Sequence, residues 1–216
     1  MKKLLLFALA ALAVSAAQAV TYTWNSAAGK FQDGEGNNIV AYTNLTSLTV
    51  TVVYQNTAAA ASFNHTYFAI QDIATDGGAN GRVTNIGMVI GNPKATMYIT
   101  GNSTSASLET SGHFSSARIG SNADNTITMV FSNVNANGNF GNLAMTHNFS
   151  NGNTESDSYS GKNFNFNGSL FETLTVFENA AITSATIEIE GTPVPEPTVL
   201  ALLALGVAGV ALRRRA

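Results

Sequence analysis

The chain has 216 residues, no cysteine, 11% charged residues and a formal charge of −3. The missing cysteine excludes a disulfide framework, a Cys-ligated zinc site and a thiol nucleophile. Half of the basic residues, Lys2, Lys3, Arg213, Arg214 and Arg215, stand at the two ends. Between residues 20 and 191 five basic residues face twelve acidic ones, a formal charge of −7, which argues against nucleic acid as a partner because such a domain repels phosphate.

In chain order, Met1-Lys2-Lys3 precedes an apolar run from Leu4 to Val14, and Ala17-Gln18-Ala19 places small residues where a signal peptidase reads. The expectation is a signal peptide over residues 1–19, cut between Ala19 and Val20. A retained N-terminal membrane helix is the weaker alternative, since the run is short and a small-residue site follows it. Export would put the domain in an oxidising compartment, so its stability must come from a core.

Residues 20–191 are expected to form one all-β domain, an antiparallel β-sandwich. The stretch is rich in Asn, Ser, Thr and Gly, with β-branched and aromatic residues in short alternating clusters. Val20 to Trp24 and Leu48 to Val52 alternate cleanly and predict half-buried strands. Further strands are expected over 67–73, 87–90, 96–100, 114–119, 126–131, 142–148, 163–166 and 170–177, with a last apolar group at Ile182, Ile187 and Ile189. Val50, Val52, Ile127, Met129, Leu174 and Val176 are the expected core positions. Turn-formers such as Asp76-Gly77-Gly78 and Gly91-Asn92-Pro93 separate the runs, and the polar stretch from Asn133 to Asn139 reads as a hairpin tip. No fixed-period repeat is evident, which argues against a solenoid or propeller.

The segments Phe166-Asn167-Gly168-Ser169-Leu170, Glu172 to Phe177 and Ala181 to Ile187 resemble the closing part of LamG-like, concanavalin A-like jelly rolls. That resemblance implies two stacked antiparallel sheets with a concave face, a strand over Asn125 to Phe131, and a short helical turn near Ala181. It departs from the family pattern in carrying Glu172-Thr173 where an acidic pair is usual. The scaffold implied serves glycan and protein binding and some glycoside hydrolases.

Chemistry-bearing groups are sparse. His65, His113 and His147 are too far apart for a metal-ligand spacing, and each reads as an edge or partner-bonded histidine. No Gly-x-Ser-x-Gly elbow supports a serine nucleophile. Glu188-Ile189-Glu190 puts two acids on one side of a strand, but the third acid of the concanavalin A-like hydrolase pattern is replaced by Pro193. The expectation is therefore no enzyme and no catalytic residue. Calcium is the metal that the jelly-roll resemblance raises, and Asp33 to Asn38 begins like an EF-hand loop. Its twelfth position is Asn44, so the bidentate Glu is missing, and no ligand set and no cofactor are assigned. Asp72, Asp76 and Asn80 form another oxygen-rich cluster, as do Glu155 and Asp157. Trp24, Tyr54, Tyr67, Tyr98, Phe140 and Tyr159 are candidates to stack on sugars, although aromatics at alternating strand positions are mostly core.

The tail, residues 192–216, begins with the stiff spacer around Pro195-Glu196-Pro197 and continues as an uncharged apolar run from Val199 to Leu212. As a helix this run reaches about 21 Å, short for a hydrocarbon core of about 30 Å. Arg213, Arg214 and Arg215 close it and would stay cytoplasmic on the positive-inside rule. The order of these parts resembles the PEP-CTERM sorting signal of Gram-negative bacteria. It implies a C-terminal transmembrane helix that anchors the chain transiently in the inner membrane, and processing by an exosortase in bacteria that make extracellular polysaccharide. An ordinary membrane helix is the alternative. The expected protein is exported to the cell surface or the extracellular matrix, with an adhesive or structural role; a lectin-like polysaccharide-binding module is the second reading and a glycoside hydrolase the third.

Overall fold

A computed structural model describes residues 18–40, 42–57, 65–71, 85–91, 95–101, 104–110, 123–135, 139–161, 173–178 and 180–194. These residues form strands and turns without a helix, and every strand pairing among them is antiparallel. In chain order the strands are β1 (Gln18–Asn25), β2 (Lys30–Gln32), β3 (Tyr42–Asn56), β4 (His65–Gln71), β5 (Asn85–Gly91), β6 (Ala95–Gly101), β7 (Thr104–Thr110), β8 (Asp124–Val134), β9 (Phe140–Asn148), β10 (Thr154–Tyr159), β11 (Thr173–Glu178) and β12 (Ala180–Pro193). A seven-stranded sheet runs β10-β9-β8-β3-β12-β1-β2, and a five-stranded sheet runs β11-β4-β5-β6-β7.

Alternation sets the first sheet. Along β3 the side chains of Leu48, Val50, Val52 and Tyr54 are buried while Thr49, Thr51, Val53 and Gln55 between them are not. Neighbouring strands keep the same phase, because Val50 pairs with Met129 on β8 and with Ile187 on β12, and both partners are buried. A slip of one residue would turn each of these side chains to solvent, so the apolar pattern fixes the register. From the second sheet Ile70 and Leu174 join the same buried cluster.

Two close approaches between strands use one device. Asn44 on β3 and Asn133 on β8 hold φ of 50° and 59°, a left-handed conformation that Asn tolerates better than most residues. Beside each stands a buried glycine. A Cβ on Gly191 would lie 3.2 Å from the Thr43 carbonyl oxygen and 3.3 Å from the Leu45 Cα, and one on Gly141 would lie 3.1 Å from the Asn133 carbonyl oxygen. At the first of these the β3–β12 register also shifts, between Glu190 and Thr192.

Several expectations change here. Residues 180–193 are one continuous strand with a register shift between Ile182 and Ser184, not a helical turn near Ala181. The hydrogen-bond ladder to β3 holds Ala181 to Ala185 in extended form, and β1 adds a second ladder from Thr186 to Gly191. Val176 is 42% exposed although Leu174 on the same phase is buried, because Val176 lies on a flanking strand of its sheet, next to the shift between Val176 and Glu178. Strands β2, β7 and β10 were not expected. β8 and β9 pair across the expected turn, with Asn135 N donating to the Asn139 carbonyl at 2.8 Å, while residues 136–138 lie outside the described residues. The strands expected at 114–119 and 163–166, the signal segment before Gln18 and the tail helix after Val194 lie outside the described residues.

Candidate functional site

Glu188 and Glu190 sit on β12, an inner strand of the seven-stranded sheet, on the face opposite the buried Ile187 and Ile189. In register, Glu188 lies between Thr49 and Thr21, and Glu190 between Ser47 and Ala19. Ser47 Oγ donates to Glu190 Oε2 at 3.1 Å. The two carboxylates thus stand on an open sheet face among hydroxyls.

The Asp33 loop satisfies itself. Asp33 Oδ1 accepts from the backbone N–H groups of Glu35 at 2.9 Å and Asn37 at 2.8 Å, and Oδ2 accepts from Asn37 Nδ2 at 3.1 Å. The Asn37 side-chain bond, with the backbone bonds, holds the Asp33 carboxyl below its ordinary pKa. These are the contacts of an Asx-type turn, which accounts for the oxygen-rich sequence. Glu155 and Asp157 lie on β10 opposite His147 and Met145, and Asp72, Asp76 and Asn80 lie outside the described residues. Among the described residues no three His, Asp or Glu side chains group closely enough to hold a metal ion.

His147 belongs to the core. Its Nε2 is 3.1 Å from the Tyr54 hydroxyl, and its ring lies 4.1 Å from that of Phe149, centroid to centroid. Burial lowers its pKa to about 3 and raises that of Tyr54. A second buried polar pair, Tyr22 and Tyr42, joins hydroxyl to hydroxyl at 2.8 Å, and burial followed by that bond raises Tyr42. His65 is on β4, and His113 is outside the described residues. Of the aromatic candidates, Tyr54 and Phe140 are fully buried, while Trp24 and Tyr159 are half-buried against the core, Trp24 at 5.3 Å from Phe31.

What the sheet brings together instead is a row of hydroxyls. Ser156 on β10 pairs with Thr146 on β9, Thr146 with Thr128 on β8, Thr128 with Thr51 on β3, Thr51 with Thr186 on β12, Thr186 with Thr23 on β1, and Thr23 with Gln32 on β2. None of the seven is buried, and Thr146, Thr128, Thr51 and Thr186 each stand between two buried residues, so the row crosses the outer face from one side of the sheet to the other. Thr51 and Thr128 hydroxyls lie 3.4 Å apart, and Thr146 and Ser156 hydroxyls 3.3 Å. On one side a parallel row carries Thr154, Asn148 and Thr126, with Thr154 Oγ1 donating to Asn148 Oδ1 at 2.8 Å. Reading the sequence alone missed this line, whose local signal is Thr at alternate positions in three strands, Thr21 and Thr23, Thr49 and Thr51, and Thr126 and Thr128.

The expected terminal sites meet the sheet at one end. Ala19 and Val20 lie in β1, paired with Glu190 and Ile189, while Ala17 is outside the described residues. β12 runs past Gly191 to Pro193, which pairs with Tyr42. Pro195, Glu196, Pro197, Arg213, Arg214 and Arg215 lie beyond it, outside the described residues. Among the described residues no helix is long and apolar enough to cross a membrane.

The described residues form an all-β unit whose inner strand β12 ends at Pro193, where a sequence signal begins. The address is specific: residues 193–215 match the PEP-CTERM protein-sorting motif, and the chain carries that signal. The motif implies an exported protein, processed by exosortase, with a membrane-anchored or cell-surface location. No curated protein matches the chain. Among solved structures it is similar to alginate lyase vAL-1 from Chlorella virus, at 12% identity and a TM-score of 0.37 over 82% of this chain and 85% of that one. It is also similar to Scytalido-glutamic peptidase with a peptide-based transition-state analog, at 10% identity and 0.27 over 81% and 64%, and to SCP-B, an eqolisin-family peptidase bound to the tripeptide Ala-Ile-His, at 11% and 0.26 over 81% and 63%. At these scores the likenesses carry no argument about this chain's chemistry.

Proposed function

We propose that the chain is a non-enzymatic adhesive or matrix-forming protein of the cell surface, a LamG-like jelly-roll sandwich that exosortase releases from or fixes to the membrane through its tail. The observation that carries this reading is the continuity of β12 with the sorting motif, which begins at Pro193, the last residue of the strand. What the signal delivers is thus the sheet itself. The shared burial of Ile70 and Leu174 with the seven-stranded sheet supports the sandwich. The hydroxyl contact to Glu190 supports a solvated strand face over a carboxylate pair at work in hydrolysis.

The test is deletion of the coding sequence in its native host, complemented by the wild-type chain or by a chain ending at Val194. Deletion should lower cell–cell and cell–surface attachment, and only the full chain should restore it. Attachment unchanged by deletion would overturn the reading. So would release of reducing sugar by the purified full chain that Glu188→Gln abolishes.

A further inference from the structure

We propose that the hydroxyl row crossing the seven-stranded sheet is a docking line for a neutral polysaccharide, laid across the strands rather than along them. The proposal rests on the cell-surface reading above and names a partner for it. Strands in a sheet stand about 4.8 Å apart, so the six steps from Ser156 to Gln32 extend over about 29 Å, with a hydroxyl or amide at every step. Each hydroxyl both donates and accepts, as do the hydroxyls of a sugar, so the match does not depend on one ring orientation. Threonine suits the task because its β-branched side chain has few χ1 states and loses little freedom on binding. The contacts at 3.4 Å between Thr51 and Thr128 and 3.3 Å between Thr146 and Ser156 hold part of the line in place before a ligand arrives.

Charge selects the class of glycan. No residue of the row is ionisable, the acids nearest to it on β12 are Glu188 and Glu190, and residues 20–191 carry −7 overall. Among the described residues Lys30, two residues from Gln32, is the one cation beside the row, so a uronate or sulfated chain meets net repulsion, whereas a neutral chain meets hydroxyls, methyls and the Gln32 amide. Shape selects further. Strands turn by about 20–25° from one to the next, so the row winds across the sheet, and a soluble chain free at its glycosidic bonds can follow it where a flat crystalline surface cannot. A second copy of this chain is a poor occupant, since apolar side chains on this face are few, chiefly Val53, Val130 and Ala144.

The test is affinity gel electrophoresis of the purified full chain in detergent, through gels containing mixed-linkage β-glucan, dextran or xyloglucan, with alginate as the polyanion. Wild type should be retarded by at least one neutral polymer, little affected by salt, and not by alginate. The triple variant Thr51→Val, Thr128→Val and Thr186→Val keeps β-branching while removing hydroxyls, and should bind at least about tenfold more weakly with its melting temperature preserved. Should the triple variant fold poorly, the Thr→Ser triple, which keeps the hydroxyls, should bind, and single Thr128→Val should weaken binding. Retardation by none of the neutral polymers, retardation by alginate alone, or wild-type binding by the valine variants would overturn the docking line. Cell attachment is read in parallel: a wild-type chain retarded by no neutral polymer, with attachment still dependent on the chain, removes the docking line and leaves the adhesive reading standing.

Discussion

Tyr54 and His147 meet inside the core across an intervening strand, phenol to Nε2 at 3.1 Å, though 93 residues separate them in sequence. The contact fixes a direction for acid sensitivity. Burial keeps His147 neutral down to about pH 3, whereas the unfolded chain takes up the proton near its ordinary value of 6.5. Between those values the unfolded state binds more protons, so stability falls as pH drops from 6.5 toward 3 and is level in this respect above 6.5. The slope due to this one group is at most about 1.4 kcal/mol per pH unit. Urea melts at pH 7.5 and 4.5 should show His147→Gln losing about 2 kcal/mol less than wild type over that interval; an equal loss in both proteins would show that His147 does not titrate with unfolding.

Core burial sets a second contrast. Phe131 is fully buried, and its ring lies 6.1 Å from that of Phe140, so Phe131→Ala should lower stability by about 3–5 kcal/mol. Val176 follows the same alternation as Leu174 but stands in solvent, so Val176→Ala should stay within about 0.5 kcal/mol of wild type. Chemical denaturation of both variants separates the two outcomes, and a large loss at Val176 would place it in the core.

These contrasts show where the sequence was legible. In β3 and β8 an apolar residue stands at every second position over several turns of the pleat, and both strands were read correctly from that alone. β2 is three residues long, and β10, Thr-Glu-Ser-Asp-Ser-Tyr, has no apolar alternation; each is a flanking strand held by one neighbour's ladder, which leaves almost no local trace. Val176 was misread because alternation gives a phase but not where the facing layer ends. The hydroxyl row depends on register between residues as distant as Thr51 and Thr186, which no local pattern encodes.

Gly191 should resist substitution. Its missing Cβ leaves room for the backbone at Thr43 and Leu45, atoms that cannot rotate away. Gly191→Ala should cost about 1–3 kcal/mol through displaced strands, while Gly34→Ala, with open space at its Cβ, should change stability little. Thermal melts of the pair decide it, and equal melting temperatures would mean that β3 and β12 move apart freely.

Processing gives a fourth expectation. The sorting motif over 193–215 should be cut near Pro195-Glu196-Pro197, and the leading segment after Ala19. Intact mass of protein recovered from the native surface should lack residues 1–19 and the chain beyond the Pro-Glu-Pro spacer. Replacing Arg213, Arg214 and Arg215 with serine should reduce correctly cut product, because the charge that resists translocation is gone. Surface protein still carrying Leu200 to Arg215 would mean a permanent anchor.

The position of β12 governs how the protein bears load. A pull transmitted from residue 195 onward enters at Pro193 and runs along a strand flanked by β3 and β1, whose hydrogen bonds stand perpendicular to it. Tension therefore acts on both ladders in shear, and many bonds must give way together rather than unzip in turn. A tether on a strand at the border of the sheet would have peeled. A pull through the tail therefore meets its greatest resistance along the strand direction, whatever stands at the other end of the load.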